Sequence, residues 1–226
     1  MIQKIDKPFN ELKIGVLGFR SHLFDLQGAT SLNSCYEIDN EYDFVFAAGY
    51  YEIIPDNILQ KVKYGIFVFH ETPVPLGRGS APIYWSVKNK RKNITISCIK
   101  IDAKIDTGQI VYQHNIPITN DMGYAQLEAQ RQIGTIKCFQ VVLDEIKSGY
   151  LVLREQSGKG SYTKKRTPES SKLDASKPLE QLWDDIRVCD NDKFPAFFIV
   201  DDQTKVILKY EIVKGDFRHP QHKMGA

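Results

Sequence analysis

Three apolar runs constrain this 226-residue chain more than anything else in it: "LKIGVLGF" (12–19), "YDFVFAAGY" (42–50) and "YGIFVFH" (64–70). Each is short and nearly continuous in apolar side chains, which is how a strand covered on both faces reads. Two of them leave through a glycine and the third stops at His70, where proline and glycine take over in "ETPVPLGRGSAP" (71–82).

Helical patterns stand between and after these runs. "IIPDNILQKV" (53–62) has Pro55 near its first turn. "SAPIYWSVKNK" (80–90) offers Ser80 as N-cap and Pro82 in the first turn. A long amphipathic pattern over 123–149 closes on Gly149. "NITISCIKI" (93–101) alternates at period two, and "IVYQHNIPI" (110–118) is a further strand. Residues 20–41 show no clear period. The order predicts an α/β protein: a truncated Rossmann-like open sheet, parallel in part, over about residues 10–150. Neither a GxGxxG nor a GxxxxGK[ST] phosphate loop is present.

The composition changes near residue 154, which predicts three units: a main α/β domain over 1–154, a linker over 155–176 and a small C-terminal subdomain over 177–226. The last should hold a helix (177–190) and a β-hairpin (194–201 with 205–213). The hairpin carries more apolar surface than a two-stranded ribbon can hide, so it is expected to be a dimerisation element and the protein a homodimer.

A hydrophobic fraction of 42 % permits a sizeable core. No run approaches the length of a membrane span, and the polar start lacks the apolar region of a secretory signal. A cytoplasmic protein with no membrane partner is expected. A net charge of +2 makes nucleic acid an unlikely partner. Cys35, Cys98, Cys138 and Cys189 are widely separated, with no ligand spacing, and are read as reduced buried thiols; no metal is expected.

In open α/β sheets ligands bind beyond the carboxyl ends of the strands. His70 lies there and is expected to face solvent, with Asp106 in a second loop 36 residues on. A His with a carboxylate partner is a minimal unit for moving protons near neutral pH. On the residues alone, a histidine at a strand end is more often a satisfied structural residue than a catalytic one. His114, in a strand, and His219 and His222, in a polar tail, are assigned no function.

"HETPVPLGRGSAPIYWSV" followed by "ITISCIKIDAKIDTGQIVYQ" resembles the signature of the 10-formyltetrahydrofolate-dependent formyltransferases. The matching positions are His70, Arg78, Gly79, Ser80, Ala81 and Pro82, then Asp102, Ile105, Asp106, Thr107 and Gly108. "FVFAAGYYEIIP" (44–55) resembles the family segment lining the pterin pocket, and residues 162–198 are similar to the linker and tail of methionyl-tRNA and sugar N-formyltransferases. The short tail resembles the bacterial sugar enzymes most.

By that resemblance His70 and Asp106 are catalytic, with 10-formyltetrahydrofolate as co-substrate. Gly49, Tyr50, Ile54, Pro55 and Ile105 would contact the folate. Thr72, Pro73, Arg78 and Gly79 would frame the amine substrate. That substrate would be a nucleotide-linked aminosugar, dTDP-linked by expectation, whose formylated product enters O-antigen or another surface polysaccharide. A methionyl-tRNA formyltransferase and a catalytically impaired binding protein are the alternatives. Two departures from the family pattern stand out: Val68 replaces the Asn of Asn-x-His, at the oxyanion position, and a strand–helix unit or two is missing between "IGVLGF" and "DFVFAAGY".

Overall fold

The computed structural model describes residues 1–215. Its centre is a six-stranded sheet of order β3-β2-β4-β5-β7-β8. These strands are β2 (Ile14–Leu17), β3 (Thr30–Leu32), β4 (Phe44–Ala47), β5 (Gly65–His70), β7 (Asn93–Lys100) and β8 (Ile110–Pro117). Pairing is parallel from β3 to β5 and antiparallel from β5 to β8. β1 (Ile2–Lys4) pairs with β9 (Tyr150–Val152), and β6 (Arg78–Gly79) with β10 (Tyr162–Thr163). The helices are α1 (Asp56–Leu59), α2 (Pro82–Lys88), α3 (Tyr124–Lys147) and α4 (Leu179–Arg187). β11 (Ala196–Asp201) and β12 (Thr204–Leu208) form the hairpin.

Strand alternation divides the core between the two faces of the sheet. Phe44, Phe46, Phe67 and Phe69 point to one face, where α3 covers them with Leu127, Cys138, Phe139, Val142 and Ile146. Phe139 meets Phe46 edge-on with ring centroids 5.0 Å apart, and Phe24 at 4.4 Å. Each fully buried side chain of this size contributes roughly 1.5–3 kcal/mol. Val45, Ala47 and Ile66 point the other way, into a smaller cluster with Leu17, Leu32, Ile38, Ile54 and Ile58. Val68 and His70 share that second face.

Several expectations are corrected. The aperiodic 20–41 segment contains β3, an edge strand too short to show a period. The predicted 53–62 helix is the single turn α1, entered from Pro55. α2 is capped by Ala81 in a left-handed conformation (φ 54°), not by Ser80. α4 and the hairpin strands are shorter than expected, β12 ending at Leu208. His219 and His222 lie outside the described residues. All four cysteines are free and buried.

Candidate active site

β2 leads to β3 on one side of it and β4 lies on the other, so a crevice opens at their carboxyl ends. The backbone there is packed too closely for side chains. A Cβ on Gly18 (φ +98°) would lie 2.5 Å from the Ala48 carbonyl oxygen, and one on Gly49 (φ +67°) would lie 2.6 Å from the Phe19 ring. A cleft of about 350 Å³ extends from this point along the Val68 face of the sheet, beneath the loop over 101–108.

His70 and Asp106 meet in the cleft, with Nδ1 3.6 Å from Oδ2. His70 is not solvent-facing as expected but 7 % exposed. Its Nε2 lies 3.0 Å from the Gly77 carbonyl oxygen. A carbonyl only accepts, so Nε2 carries the hydrogen; in the neutral ring Nδ1 then holds a bare lone pair. Asp106 is held as firmly. It takes a left-handed conformation (φ 54°), and its Oδ2 accepts the Gly79 N–H at 2.8 Å. Asp102 braces the same loop by accepting the Thr107 hydroxyl at 2.6 Å and the Lys104 N–H at 3.1 Å.

Gly49, Tyr50, Ile54, Val68, Gly79 and Ile105 also line the cleft. The Tyr50 hydroxyl accepts the Cys35 N–H and donates to Glu52 at 2.8 Å; burial, together with the contact to Cys35, pushes this phenol up to about 12. Val68 packs with Val74, Ile99 and Ile110, so the wall beside His70 is apolar. Pro55, Thr72, Pro73 and Arg78 do not line the cleft. Thr72 is 1 % exposed, its hydroxyl donating to the Gly77 carbonyl at 3.2 Å and its carbonyl accepting the Ser97 hydroxyl at 2.6 Å. Its role in the structure is to shape the turn that orients His70. Arg78 turns away to the Gln156 side chain and the Tyr162 ring.

Two features had no sequence signal. Arg20, from the aperiodic segment, lines the cleft with Glu71. Its guanidinium sits over the Phe19 ring at 4.6 Å, 3.8 Å from Glu71 and 3.5 Å from Glu128. Buried Arg131 already holds Glu128 at 2.9 Å and approaches Glu71 at 3.7 Å. The second feature is Gln156, inside the stretch read as linker; its amide bonds to both loops of the site.

The arrangement can take a proton at Nδ1 from a group in the cleft and hold the resulting imidazolium against Asp106. Among the described residues no group of three or more His, Cys, Asp or Glu side chains could hold a metal ion, and no helix is long and apolar enough to cross a membrane.

Residues 33–143 match the formyl transferase family. A methionyl-tRNA formyltransferase of Thermodesulfovibrio yellowstonii is 24 % identical over 174 residues, which are 77 % of this chain and 56 % of that protein. The chain thus spans about half the length of the methionyl-tRNA formyltransferases it matches. The same fold occurs in a 4-N formyltransferase from Francisella tularensis, with TM-score 0.76 and 18 % identity over 90 % of this chain and 99 % of that one. It occurs also in the formyltransferase PseJ from Anoxybacillus kamchatkensis, solved with UDP-4,6-dideoxy-4-formamido-L-AltNAc and tetrahydrofolate. That structure has TM-score 0.58 and 21 % identity, covering 70 % of this chain and 87 % of that one. The formyl transferase match takes in Gly49, His70 and Asp106, and over this stretch the chain resembles that family.

Proposed function

We propose that the protein is a sugar N-formyltransferase, moving a formyl group from 10-formyltetrahydrofolate to the amine of a nucleotide-linked amino-dideoxy sugar. The observation that carries this reading is the His70–Asp106 pair, 3.6 Å apart at the floor of a cleft with an apolar wall. A flat bicyclic ring fits such a wall, which Tyr50, Ile54, Val68 and Ile99 line. Bound folate would supply an activated formyl group on N10.

The chain's residues then manage the proton. A neutral amine in the cleft forms a bond to the formyl carbon, and the bond from that carbon to N10 breaks. The proton the amine gives up passes to His70 Nδ1, whose imidazolium Asp106 stabilises. The same proton returns to N10 as it leaves, so donor and acceptor balance. Val68 stands where the family pattern has Asn, and once Nδ1 is protonated its N–H would take over part of the stabilisation of developing negative charge on the formyl oxygen.

Arg20 supports a phosphate-bearing substrate. It lines the cleft, yet among the described residues its guanidinium contacts carboxylates only at 3.5 Å and 3.8 Å, beyond good hydrogen-bond distance. A diphosphate would match its fork of donors. The weak net charge of +2 favours a small anionic substrate over tRNA, whose binding leans on many phosphate contacts. The dTDP link, the entry of the product into O-antigen and a homodimer joined through the C-terminal hairpin belong to this same reading. Val68 favours a second one, a formyltransferase-like protein that binds both ligands with impaired transfer.

Incubation with 10-formyltetrahydrofolate and a panel of aminosugar nucleotides, followed by mass spectrometry, tests the assignment. A formyl mass gain on one of them is expected. Formylation of Met-tRNA alone would overturn the sugar reading, and tight binding of both ligands without transfer would establish the second one.

A further inference from the structure

The stretch over 154–163 is hydrogen-bonded to both loops that form the site. Arg154 exchanges backbone hydrogen bonds with Ile110, at 2.8 Å and 2.9 Å, just after the Asp106 loop. Ser161 takes the Gly77 N–H on its carbonyl (3.1 Å) and on its hydroxyl (2.9 Å). The Thr163 hydroxyl donates to the Arg78 and Ser80 carbonyls at 3.1 Å and 2.9 Å. Gly77 orients His70 and Gly79 orients Asp106, so this strap grips both halves of the catalytic pair from behind.

Gln156 joins the two halves. Its Oε1 accepts from Arg78 Nε at 3.1 Å and Nη2 at 2.6 Å. Its Nε2 donates to the Asp106 carbonyl at 2.8 Å and the Gly108 carbonyl at 2.7 Å. Both amide hydrogens are used, and the orientation is unique, since the reverse would set NH2 against a guanidinium and oxygen against two carbonyls. The residue so held is Asp106, in a left-handed conformation that a non-glycine residue keeps only when its surroundings impose it.

We propose that Gln156 is a positioning residue: it fixes the Asp106 backbone so that Oδ2 lies between the Gly79 amide and His70 Nδ1. The proposal rests on the formyl-transfer reading for its kinetic consequence and on geometry alone for its structural one. The experiment therefore has two arms, on Gln156→Glu and Gln156→Ala. Gln156→Glu is isosteric and still accepts from Arg78 but opposes two carbonyl oxygens; it serves if the alanine variant fails to fold.

Steady-state kinetics on the sugar nucleotide should show kcat lowered about 10- to 100-fold with KM little changed, the signature of a displaced catalytic group. Hydrogen exchange read by NMR should show the Gly79 amide losing protection in Gln156→Glu while the Gly77 amide, held by Ser161, keeps it. Unchanged kcat in both variants, an unchanged Gly79 amide, or equal loss at both amides would overturn the proposal. Should the wild type transfer no formyl group, the functional reading fails by itself, and the exchange arm still decides whether Gln156 holds Asp106.

Discussion

The Gly77 carbonyl receives the His70 Nε2–H at 3.0 Å, and this one bond decides which nitrogen of the ring can act as a base. Nδ1 is left bare toward the cleft and Asp106. His70→Asn removes that base. Formyl transfer should fall about 10²- to 10⁴-fold, the usual contribution of a positioned acid–base group. The variant should still fold, at a cost of about 1 kcal/mol for the altered buried hydrogen bond. Single-turnover kinetics and thermal unfolding check both; wild-type turnover would remove His70 from the chemistry.

Asp106→Asn separates charge from shape. Asn tolerates the left-handed conformation and its oxygen can still accept the Gly79 N–H, so the loop should keep its form. That oxygen is also the side-chain atom nearest His70 Nδ1, so the variant keeps the contact and loses only the charge that stabilises the imidazolium. Turnover should drop nearly as far as in His70→Asn, with a melting temperature close to wild type. Retained activity would show that the carboxylate does not serve the imidazole.

Arg131 and Arg20 share the same two carboxylates but have different burial. Arg131 is 2 % exposed and is the main partner of Glu128. Arg131→Met should destabilise by about 3 kcal/mol, because Glu128 and Glu71 lose their nearest cation. Arg20→Gln should leave the unfolding midpoint almost unmoved and raise KM for the nucleotide-linked substrate about tenfold or more, as expected for one lost charge-assisted contact. Chemical denaturation of both variants, with KM for Arg20→Gln, checks the contrast; equal destabilisation would show Arg20 to be structural.

The C-terminal hairpin packs one face on Leu182 and Ile186 of α4 through Ala196, Phe198 and Leu208. Its other residues leave Ile199, Val200 and Ile207 42 %, 58 % and 55 % exposed. A second copy of the hairpin would bury them. Light scattering at micromolar concentration should report a dimer, and Ile207→Asp should shift it to monomer. A monomeric wild type would sink the dimer.

Much of the sheet was legible because its strands obey simple periods: continuous apolar runs for β4 and β5, alternation for β7. The long α3 and its glycine exit were legible for the same reason. β3 was not, since three residues at a sheet edge, two of them exposed, carry no pattern. His70 and Asp106 could be named from their spacing and family resemblance, but the burial of His70 depends on how Thr72 and Gly77 close the turn, which only the folded loop shows. Gln156 was hidden most completely. It sits in a polar, small-residue stretch that reads as a tether, and its importance arises from four hydrogen bonds to partners 48 to 78 residues away.

Val68 lies two residues before His70 on the same face of β5, between Ala47 on β4 and Ile99 on β7. Val68→Asn would set an amide in the cleft wall where the family pattern has one. The side chain loses packing against Val74, Ile99 and Ile110, and an amide in this apolar patch costs about 1–3 kcal/mol unless it finds a partner. The bound formyl oxygen is such a partner, so the variant should be less stable alone and regain part of the loss when folate is bound. Turnover should rise or stay level, because a donor aimed at developing negative charge adds to the imidazolium without displacing it. Thermal unfolding with and without 10-formyltetrahydrofolate, beside steady-state kinetics, separates the two effects. A sharp fall in turnover in a folded, folate-binding variant would mean that the apolar wall itself serves the transfer, and that Val68 belongs to a different way of holding the formyl group.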